Sequence, residues 1–416
     1  MRLTAAAERL VRAGHPWVYA LGIAKGERDH RAGGLAVLYD RRDRFLAVGL
    51  YDSASPIRVR VLQRFTQAPI DRAWFAAKIT TALRRRAPLL RDRDTTGYRL
   101  VHGENEGLPG LVVDRYADTL VVKLYTAAWA AHLDDALAAL RDLVPASRVV
   151  LRLSRAVARA GGEWRDGQVL AGLPLRGPVQ FLEHGLRFEA DVARGNKTGF
   201  FLDQRENRAQ VETLSRGRRV LDVFASSGAF SLHAARGGAR AVACVEQNRA
   251  AVPAIARHFA LNRASPSVAR VQPEVLIGDG FEALASLGRA KRRFDLVILD
   301  PPAFAQRRDE VPRALAAYRQ LTLLALAVLE TDGILVSSCC AGQVRAERFF
   351  HAVQQAAAST RRRLAILART GHPPDHPIGF PEGAYLKCLF ARVISPPRPK
   401  TVRPSSHREE GRRVSR

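Results

Sequence analysis

Apolar and polar residues nearly alternate along residues 35–62, and charged or small residues interrupt the alternation at short intervals. A period of two is typical of strands that bury one face, and such interruptions are typical of turns. We therefore predict a small β-rich barrel or sandwich at the start of the chain, over residues 1–67.

The pattern then changes to a mixture of helical and strand periods. Residues 71–90 and 130–143 have apolar positions at helical spacing, and residues 111–125 contain two apolar runs around a polar turn. The first two segments favour amphipathic helices, and the third favours a hairpin. These elements indicate a separate α+β domain over residues 68–180.

Strand-like and helix-like segments alternate regularly from about residue 216, where five apolar runs each precede a helical stretch. Repeated βα units predict a doubly wound, Rossmann-like parallel sheet over residues 181–395, and the whole chain is expected to be a multidomain α/β protein. Ligands of such sheets bind beyond the carboxyl ends of the strands, so residues at strand ends become site candidates. Residues 396–416, rich in Pro, Ser and Arg, are expected to form a disordered basic tail.

The net charge of the chain limits the kinds of molecule that it is expected to bind. Lys and Arg number 66 against 40 Asp and Glu, the formal net charge is +26, and basic residues lie along the whole chain. A polyanion such as RNA is the partner that this charge favours. A compositional bias toward Arg is the plainer explanation, but such a bias mostly exchanges Lys for Arg and leaves the net charge unchanged.

Cysteine spacing and the length of apolar runs exclude several classes of protein. The four cysteines, Cys244, Cys339, Cys340 and Cys388, show no C-x-x-C spacing, and the eleven histidines show no ligand pattern. Neither a disulfide scaffold nor a metal site is therefore expected. No apolar run resembles a signal peptide or a membrane span, so a cytoplasmic protein without a membrane partner is expected. The sequence leaves open whether the chain forms a homodimer.

Acidic residues close three successive predicted strands. Asp222 closes the first strand, just before a small-residue turn that contains Ser226 and Gly228. Glu246 closes the second strand and Asp279 the third. A turn of small residues lets a ligand approach backbone amides, and an acid after the second strand can bind both ribose hydroxyls of a nucleoside cofactor. Helix N-caps are the plainer role for such acids, but three in succession favour a cofactor site.

The fourth and fifth strands end in residues suited to chemistry on a base. Asp300 precedes Pro301 and Pro302, and consecutive prolines make a rigid extended loop that can hold a planar base. Cys339 and Cys340 follow the fifth strand on the same rim. Carbon 5 of cytosine is a poor nucleophile, so its methylation requires attack of a thiolate on carbon 6. One cysteine is enough for that attack, and the other fits a buried strand position.

Two other functions stay open on these residues. An acid-Pro-Pro-aromatic loop can also hold an exocyclic amine, as an amino-group methyltransferase of RNA or DNA would require, and that chemistry needs no cysteine. A noncatalytic RNA-binding assembly factor is the second alternative, in which the Rossmann-like domain only senses a cofactor. The complete set of acids, prolines and cysteine weighs against this second alternative.

Ordered sequence blocks along nearly the whole chain resemble the large-subunit ribosomal RNA cytosine-5 methyltransferase family that carries an N-terminal PUA domain. GHPWVY (14–19) and GLYDSASPIRVRVL (49–62) are similar to its PUA module, and YRLVHGENEGLPGLVVDRY (98–116) is similar to its central domain. NKTGFFLDQRENR (196–208) is the most specific block. The remaining blocks follow in family order: VLDVFASSGAFS, FDLVILDPPAFA, GILVSSCC, DHP (375–377) and PEGAYLK (381–387).

This resemblance implies S-adenosylmethionine as the cofactor, 5-methylcytosine in ribosomal RNA as the product, and RNA binding by the PUA-like domain. The implied cofactor-binding residues are Phe201, Asp203, Gln204, Arg205, Asp222, Phe224, Ser226, Gly228, Phe230, Glu246, Asp279 and Asp300, and those from Phe201 to Arg205 are expected to close over the cofactor. The implied substrate base loop contains Pro301, Pro302 and Phe304, beside the catalytic residues Asp300 and Cys340.

The chain departs from the family pattern at two places. The family has Ser-Cys-Ser after the fifth strand, where this chain has Cys339, Cys340 and Ala341. This register matches Cys340 to the family nucleophile, and Cys339 replaces a serine. Glu106 stands where the family usually has Asp, in the central domain and away from the expected chemistry.

Overall fold

The structure is a computed structural model that describes residues 1–24 and 33–394. The basic tail expected over residues 396–416 lies outside the described residues. In the described part of the chain, the strands form three sheets and a separate two-stranded hairpin, which confirms the multidomain α/β class. No helix in these ranges is both long and apolar enough to cross a membrane.

The first domain has a helix followed by four strands: α1 (Ala5–Arg12), β1 (Trp17–Tyr19), β2 (Leu35–Tyr39), β3 (Phe45–Tyr51) and β4 (Ile57–Arg64). The strands are antiparallel in the order β1-β4-β3-β2, and the first residues of the chain add bridges to this sheet. The alternation along residues 35–62 thus corresponds to β2, β3 and β4. Their inward side chains, such as Leu38 and Val59, pack in one apolar cluster with Val11 of α1.

The second domain has these elements: α2 (Arg72–Arg85), α3 (Ala87–Arg91), β5 (Gly97–His102), β6 (Leu111–Tyr116), β7 (Thr119–Leu124), α4 (Leu133–Leu143), β8 (Arg148–Leu153), α5 (Arg155–Ala160) and β9 (Val169–Gly172). The sheet order is β5-β6-β7-β8-β9, in which β7 and β8 are parallel and the other neighbours antiparallel. The hairpin predicted over residues 111–125 is confirmed as β6 and β7. Both predicted helices are present as α2 and α4, which place Phe75 and Leu140 in the core.

A hairpin leads into the third domain and consists of β10 (Val179–Glu183) and β11 (Leu186–Ala190). The hairpin was not predicted, although apolar and polar residues alternate along all five residues of β11. Phe181 and Phe188 of the hairpin pack with Phe200 in the cluster that covers one face of the C-terminal sheet. The hairpin therefore belongs to the packing of the third domain.

The third domain has these elements: α6 (Arg205–Leu214), β12 (Arg219–Val223), α7 (Ala229–Arg236), β13 (Ala241–Glu246), α8 (Val252–Leu261), α9 (Pro266–Ala269), β14 (Glu274–Ile277), α10 (Gly280–Arg289), β15 (Phe294–Leu299), α11 (Val311–Val328), β16 (Leu329–Cys339), α12 (Ala346–Ser359), β17 (Arg363–Thr370) and β18 (Lys387–Ile394). The sheet order is β14-β13-β12-β15-β16-β18-β17. The five predicted strands, β12 to β16, are parallel, whereas β18 runs antiparallel to β16 and β17. The order reverses between β12 and β15, so the expected ligand site lies beyond the carboxyl ends of these two strands.

The central strands of this sheet are apolar on both faces, and each face has its own core. On β12, Val220 lies in one apolar cluster and Leu221 in the other, and both are fully buried. Asp222 follows on the same face as Val220 because side chains alternate along a strand. Its carboxylate is consequently buried directly beneath the turn that leaves β12.

Candidate active site

A cleft of about 720 Å³ lies at the carboxyl ends of β12, β15 and β16, and residues of the two preceding domains also border it. Its volume falls within the range of ~300–1,000 Å³ that small-molecule sites occupy. Ten predicted site residues border the cleft: Phe201, Asp203, Gln204, Phe224, Ser226, Phe230, Asp300, Pro301, Pro302 and Cys340. The other predicted residues do not border it in the described part of the chain: Arg205, Asp222, Gly228, Glu246, Asp279 and Phe304.

The turn after β12 has three residues in the left-handed backbone region. The φ angles are +68° at Phe224, +50° at Ser226 and +73° at Gly228. Glycine adopts this region without strain, whereas the other two residues do so only where the surrounding structure holds them. A Cβ on Gly228 would also lie 3.0 Å from Ile255. Clustered strain of this kind is typical of ligand sites.

Asp222 supports the turn from below. Its carboxylate accepts hydrogen bonds from the backbone N–H of Ser231 at 3.1 Å and from the hydroxyl of Ser231 at 2.7 Å. Ser231 lies in the first turn of α7, so the carboxylate fixes the start of this helix. Burial raises the pKa of Asp222 to about 6. Asp222 therefore acts on the cleft through the backbone of the turn.

Glu246 and Asp279 are also engaged with backbone amides. The Glu246 carboxylate accepts from the N–H groups of Ser226 and Asn248, each at 2.7 Å and each on a different oxygen. Asp279 is the N-cap of α10, and one of its oxygens accepts from two N–H groups of the first helical turn. The plainer N-cap role is thus present at Asp279. Both carboxylates still have lone pairs for a hydroxyl or amino group of a ligand.

These features fit a nucleoside cofactor. The turn offers small residues and backbone amides, Phe224 and Phe230 offer apolar walls, and Glu246 offers carboxylate oxygens at the end of the neighbouring strand. This combination of apolar walls with a few fixed polar groups is what orients a small molecule. A metal ion has no comparable site, because no group of three or more His, Cys, Asp or Glu side chains within residues 1–24 and 33–394 could hold one.

Asp300 follows β15 directly, and its side chain has one described hydrogen bond. Its Oδ1 accepts from the Gln204 side-chain amide at 2.7 Å. Burial and the neighbouring charges of Asp203 and Asp222 raise the pKa of Asp300 to about 7. A carboxyl group with a pKa near neutrality can take up and release a proton at physiological pH.

The Pro-Pro loop forms one wall of the cleft through Pro301 and Pro302. Phe304 turns into the core, where its ring lies between Phe281 and Tyr318 at centroid distances of 6.1 and 5.0 Å. Phe304 therefore supports the loop from behind. The two prolines are the loop residues that a bound base would meet.

The two adjacent cysteines have different surroundings. Cys339 ends β16 and is fully buried in an apolar cluster, whereas Cys340 borders the cleft. The Cys340 thiol donates to the Pro301 carbonyl, with an S···O distance of 3.6 Å. Burial and the Asp300 carboxylate raise the pKa of Cys340 to about 12, and Lys197 acts in the opposite direction. At neutral pH this thiol is therefore protonated.

Three of the four residues expected to close over the cofactor border the cleft, and the fourth does not. Arg205 forms two hydrogen bonds with the Asp375 carboxylate, at 3.1 and 2.9 Å, and is buried. The same carboxylate accepts from the backbone N–H of Arg99 in the central domain at 2.9 Å. Through Asp375, Arg205 therefore connects residues 201–205 to the central domain.

Sequence reasoning missed several residues of the cleft. The Lys197 ammonium lies 3.0 Å from Oδ2 of Asp203, and the Tyr385 hydroxyl donates to the same oxygen at 2.9 Å. Although burial opposes ionisation, Lys197 keeps the pKa of Asp203 well below its usual range. Lys197 and Tyr385 stand in the blocks NKTGFF and PEGAYLK, which carry the family resemblance. Neither periodicity nor strand position predicts that the two residues meet.

The N-terminal domain also reaches the cleft. Trp17 of β1 and Arg60 of β4 border it. The Trp17 indole donates to Glu104 of the central domain at 3.1 Å and packs edge-on against Phe380 of the third domain, at a centroid distance of 5.0 Å. All three domains thus contribute side chains to one site. The local sequence around Trp17 contains no pattern that predicts this position.

Known proteins match the chain over most of its length. Residues 98–392 match the S-adenosylmethionine-dependent methyltransferase family, and residues 1–64 match the PUA-like domain family. A ribosomal RNA large subunit methyltransferase of Deinococcus radiodurans is 48% identical over 94% of this chain and 97% of its own length. The ribosomal RNA large subunit methyltransferase I of Aeromonas salmonicida is 33% identical over 91% of this chain and 95% of its own length.

Solved structures share the fold over a similar extent. A Streptococcus mutans protein described as a SAM-dependent methyltransferase superposes with a TM-score of 0.80 at 20% identity, over 94% of this chain and 99% of its own. A methyltransferase solved with S-adenosylhomocysteine has a TM-score of 0.81 at 21% identity, over the same shares. The chain therefore belongs to the S-adenosylmethionine-dependent methyltransferase family and carries a PUA-like domain ahead of its catalytic domain.

Proposed function

We propose that this methyltransferase forms 5-methylcytosine in the RNA of the large ribosomal subunit, through a covalent adduct with Cys340. Two relatives that cover more than nine-tenths of the chain are named ribosomal RNA large subunit methyltransferases. The PUA-like domain and the net charge of +26 suit a structured RNA. Such a reaction belongs where ribosomal RNA is made, which in bacteria is the cytoplasm.

A thiol between the Pro-Pro loop and the cofactor turn carries this proposal. Cys340 borders the same cleft as Pro301 and Phe224. Methylation of an exocyclic amine needs no protein nucleophile, whereas carbon 5 of cytosine becomes reactive only after a thiolate has attacked carbon 6. A cysteine at this place supports carbon 5 chemistry over amino-group chemistry.

The cofactor turn and Glu246 would hold S-adenosylmethionine, which would supply the methyl group and leave as S-adenosylhomocysteine. Asp300 accepts the proton of the Cys340 thiol, because its pKa of about 7 leaves a large fraction ionised at neutral pH. The sulfur then forms a bond to carbon 6, and the electron pair of the 5,6 double bond moves to carbon 5, which takes up the methyl group. Pro301 and Pro302 hold the base in the plane required for this attack.

Elimination restores the aromatic base. The proton on carbon 5 leaves to solvent, the 5,6 double bond re-forms, and the carbon–sulfur bond breaks with return of the electron pair to sulfur. Asp300 then returns its proton to Cys340. Over the whole cycle the base exchanges one proton for one methyl group, and the two protein groups end as they began.

RNA with 5-fluorocytosine at the target position tests this mechanism. Methylation mapping of RNA from cells with and without the protein first identifies that position. Fluorine cannot leave as a proton does, so elimination is blocked and the enzyme stalls as a covalent adduct. We expect mass spectrometry to place the RNA on Cys340, and a Cys339→Ser variant to form the same adduct. An adduct on Cys339, or a methylated exocyclic amine without any adduct, would contradict the proposal.

A further inference from the structure

We propose that the Lys197 ammonium is the counter-ion that stabilises the negative charge on Cys340 as its sulfur attacks the base. The inference rests on the proposed function, because it names a second residue of the same reaction. Lys197 and Cys340 border the same cleft, and the Lys197 side chain is 39% exposed there. A group that enters the cleft can therefore meet the Lys197 side chain.

The backbone at Lys197 is held in an unfavourable conformation. Its φ is +53°, a region that side-chain-bearing residues rarely adopt. The Lys123 ammonium donates to the Lys197 carbonyl at 2.8 Å, and the buried Thr198 hydroxyl donates to the buried Asp114 carboxylate at 2.6 Å. These contacts fix the carbonyl of the strained residue and the residue that follows it. Strain that buried partners maintain indicates that the direction of the Lys197 side chain matters.

The Lys197 ammonium belongs to a fixed polar network. It lies 3.0 Å from Oδ2 of Asp203, and the Tyr385 hydroxyl donates to the same oxygen at 2.9 Å. The Phe201 ring centroid lies 4.7 Å from Nζ, so an aromatic face covers one side of the cation. Because Tyr385 fixes the carboxylate, the ammonium is also fixed, and its remaining N–H groups stay free to meet a ligand or a developing charge.

The same network continues to the residue that follows Cys340. The Lys387 ammonium donates to the carbonyls of Ala341 and Tyr385, at 2.7 and 3.0 Å. Tyr385 is thereby held against the end of the Cys340 segment. The position of the Lys197 ammonium and the position of the thiol are thus set by one continuous set of hydrogen bonds.

The charge of Lys197 affects the pKa of the Cys340 thiol. The Asp300 and Asp203 carboxylates both raise the pKa of Cys340, whereas Lys197 lowers it. Burial acts against the charge on Lys197, but Asp203 and Cys340 outweigh it and raise the pKa of Lys197. Lys197 therefore stays protonated through the reaction and acts by charge alone. It offsets the two carboxylates that would otherwise suppress the thiolate.

Other cations at the cleft pair with carboxylates outside it, whereas Lys197 pairs with Asp203, which itself borders the cleft. In the described part of the chain, these ion pairs are Arg60 with Asp52, Arg99 with Asp114, and Arg208 with Glu183. The composition of the chain also supports a specific role for lysine at the cleft, since only seven of the 66 Lys and Arg residues are lysine. Three of the seven, Lys123, Lys197 and Lys387, lie in this network. In a chain that otherwise uses arginine, lysine here indicates a need for a compact, point-like charge.

Alkylation of Cys340 by iodoacetamide tests the proposal without RNA. At pH 8, below the thiol pKa, the alkylation rate is proportional to the thiolate fraction, so each unit of pKa change alters the rate about tenfold. We expect Lys197→Asn and Lys197→Gln to slow alkylation of Cys340 about tenfold, as measured by mass spectrometry of the Cys340 peptide. Asn tolerates the left-handed backbone, so this variant keeps the fold of the segment. Lys197→Arg, which keeps the charge, should stay within a few-fold of the unchanged protein.

Lys291 provides a matched control. It is exposed, has a φ of +55° and does not border the cleft, so Lys291→Asn removes a lysine of the same backbone conformation without changing the site. The alkylation rate of Cys340 should be unchanged in Lys291→Asn. An unchanged rate in Lys197→Asn, or an equal loss in Lys197→Arg and Lys197→Asn, would overturn the counter-ion role. RNA methylation that survives in Cys340→Ala would instead reject the proposed function, whatever the alkylation rates.

Discussion

The two walls of the cleft differ in how far their polar groups are already engaged. The cofactor wall consists of the turn at residues 222–230, and we group Glu246 and Asp279 with it. Asp222, Glu246 and Asp279 do not border the cleft themselves, and each of them accepts hydrogen bonds from backbone amides. The substrate wall consists of Asp300, the Pro-Pro loop and Cys340. Its two ionisable groups have few partners and pKa values shifted to about 7 and about 12.

From this difference we infer that the cofactor wall binds the ligand and that the substrate wall carries out the reaction. A carboxylate that accepts amide hydrogen bonds is fixed in place, and it can orient hydroxyl or amino groups of a ligand. A carboxyl or thiol with a displaced pKa holds a proton that the reaction can move. Changes on the cofactor wall should therefore alter cofactor affinity, and changes on the substrate wall should alter turnover.

The largest effect is expected from Cys340→Ala. Removal of the nucleophile should reduce RNA methylation to background, while the affinity for S-adenosylmethionine, measured by calorimetry, stays within about twofold. Cys339→Ser should remain active, because Cys339 is buried behind the wall and serine matches the family pattern. Robust turnover in Cys340→Ala would contradict the assignment of the reaction to the substrate wall.

Asp300→Asn should reduce turnover about 10²-fold, because an amide cannot accept the thiol proton, and general acid–base groups contribute about 10²–10⁴-fold. Single-turnover methylation at saturating cofactor and RNA measures this loss. The cofactor affinity should change much less than the rate. A loss of cofactor affinity that accounts for the whole effect would place Asp300 on the cofactor wall.

Stability should change in the opposite direction from activity. Folding raises the pKa of Asp300 from about 3.9 to about 7. A carboxyl whose pKa is raised by folding adds little penalty below pH 4, where it is largely protonated in both states, and its penalty grows as the pH rises toward 7. Asp300→Asn removes the penalty, so thermal unfolding at pH 8 should occur roughly 2–8 °C higher than in the unchanged protein, with little difference at pH 4. An equal shift at both pH values would refute the electrostatic cause.

Sequence patterns predicted the parts of the fold whose period is visible within one segment. Strands β2 to β4, the hairpin of β6 and β7, and the five parallel strands are each long or regular enough to show it. Strand β1 has three residues, which are too few to show a period. The hairpin of β10 and β11 was not predicted, although the five residues of β11 alternate between apolar and polar positions. The antiparallel strands β17 and β18 follow no repeated unit, and the βα alternation did not extend to them.

The sequence predicts the site residues whose positions follow from the order of the βα units alone. A βα sheet brings its strand ends to one edge, which is why Asp300 and Cys340 were expected together and why the structure has both at the cleft. The other contributors depend on packing between distant segments. Asp203 and Tyr385 meet across 182 positions of the chain, and Trp17 arrives from another domain. Such contacts leave no periodic trace, because they are set by the surfaces of folded domains.

On the cofactor wall, Glu246→Ala and Asp279→Ala should each weaken S-adenosylmethionine binding by about one to two orders of magnitude, because each removes charge-assisted hydrogen bonds of about 1.5–3 kcal/mol. Calorimetry measures the affinity, and RNA binding should hardly change. Asp279 is also a helix N-cap, so its loss costs some stability as well. Asp71→Ala is the matched control, since Asp71 caps α2 in the central domain by the same kind of bond. It should lower stability without changing cofactor affinity.

The smallest effect is expected at the edge of the substrate wall, where the N-terminal domain contributes Trp17. Base stacking on an aromatic side chain contributes about 1–3 kcal/mol, and Trp17 is already packed against Phe380, so we expect Trp17→Ala to raise the KM for RNA about fivefold to tenfold. The turnover number and cofactor affinity should stay the same, because the described contacts of Trp17 with the other two domains are to Glu104 and Phe380. Trp17→Phe keeps an aromatic ring and should recover most of the loss. A change in cofactor affinity in Trp17→Ala would show instead that the walls are coupled, with the N-terminal domain shaping both of them.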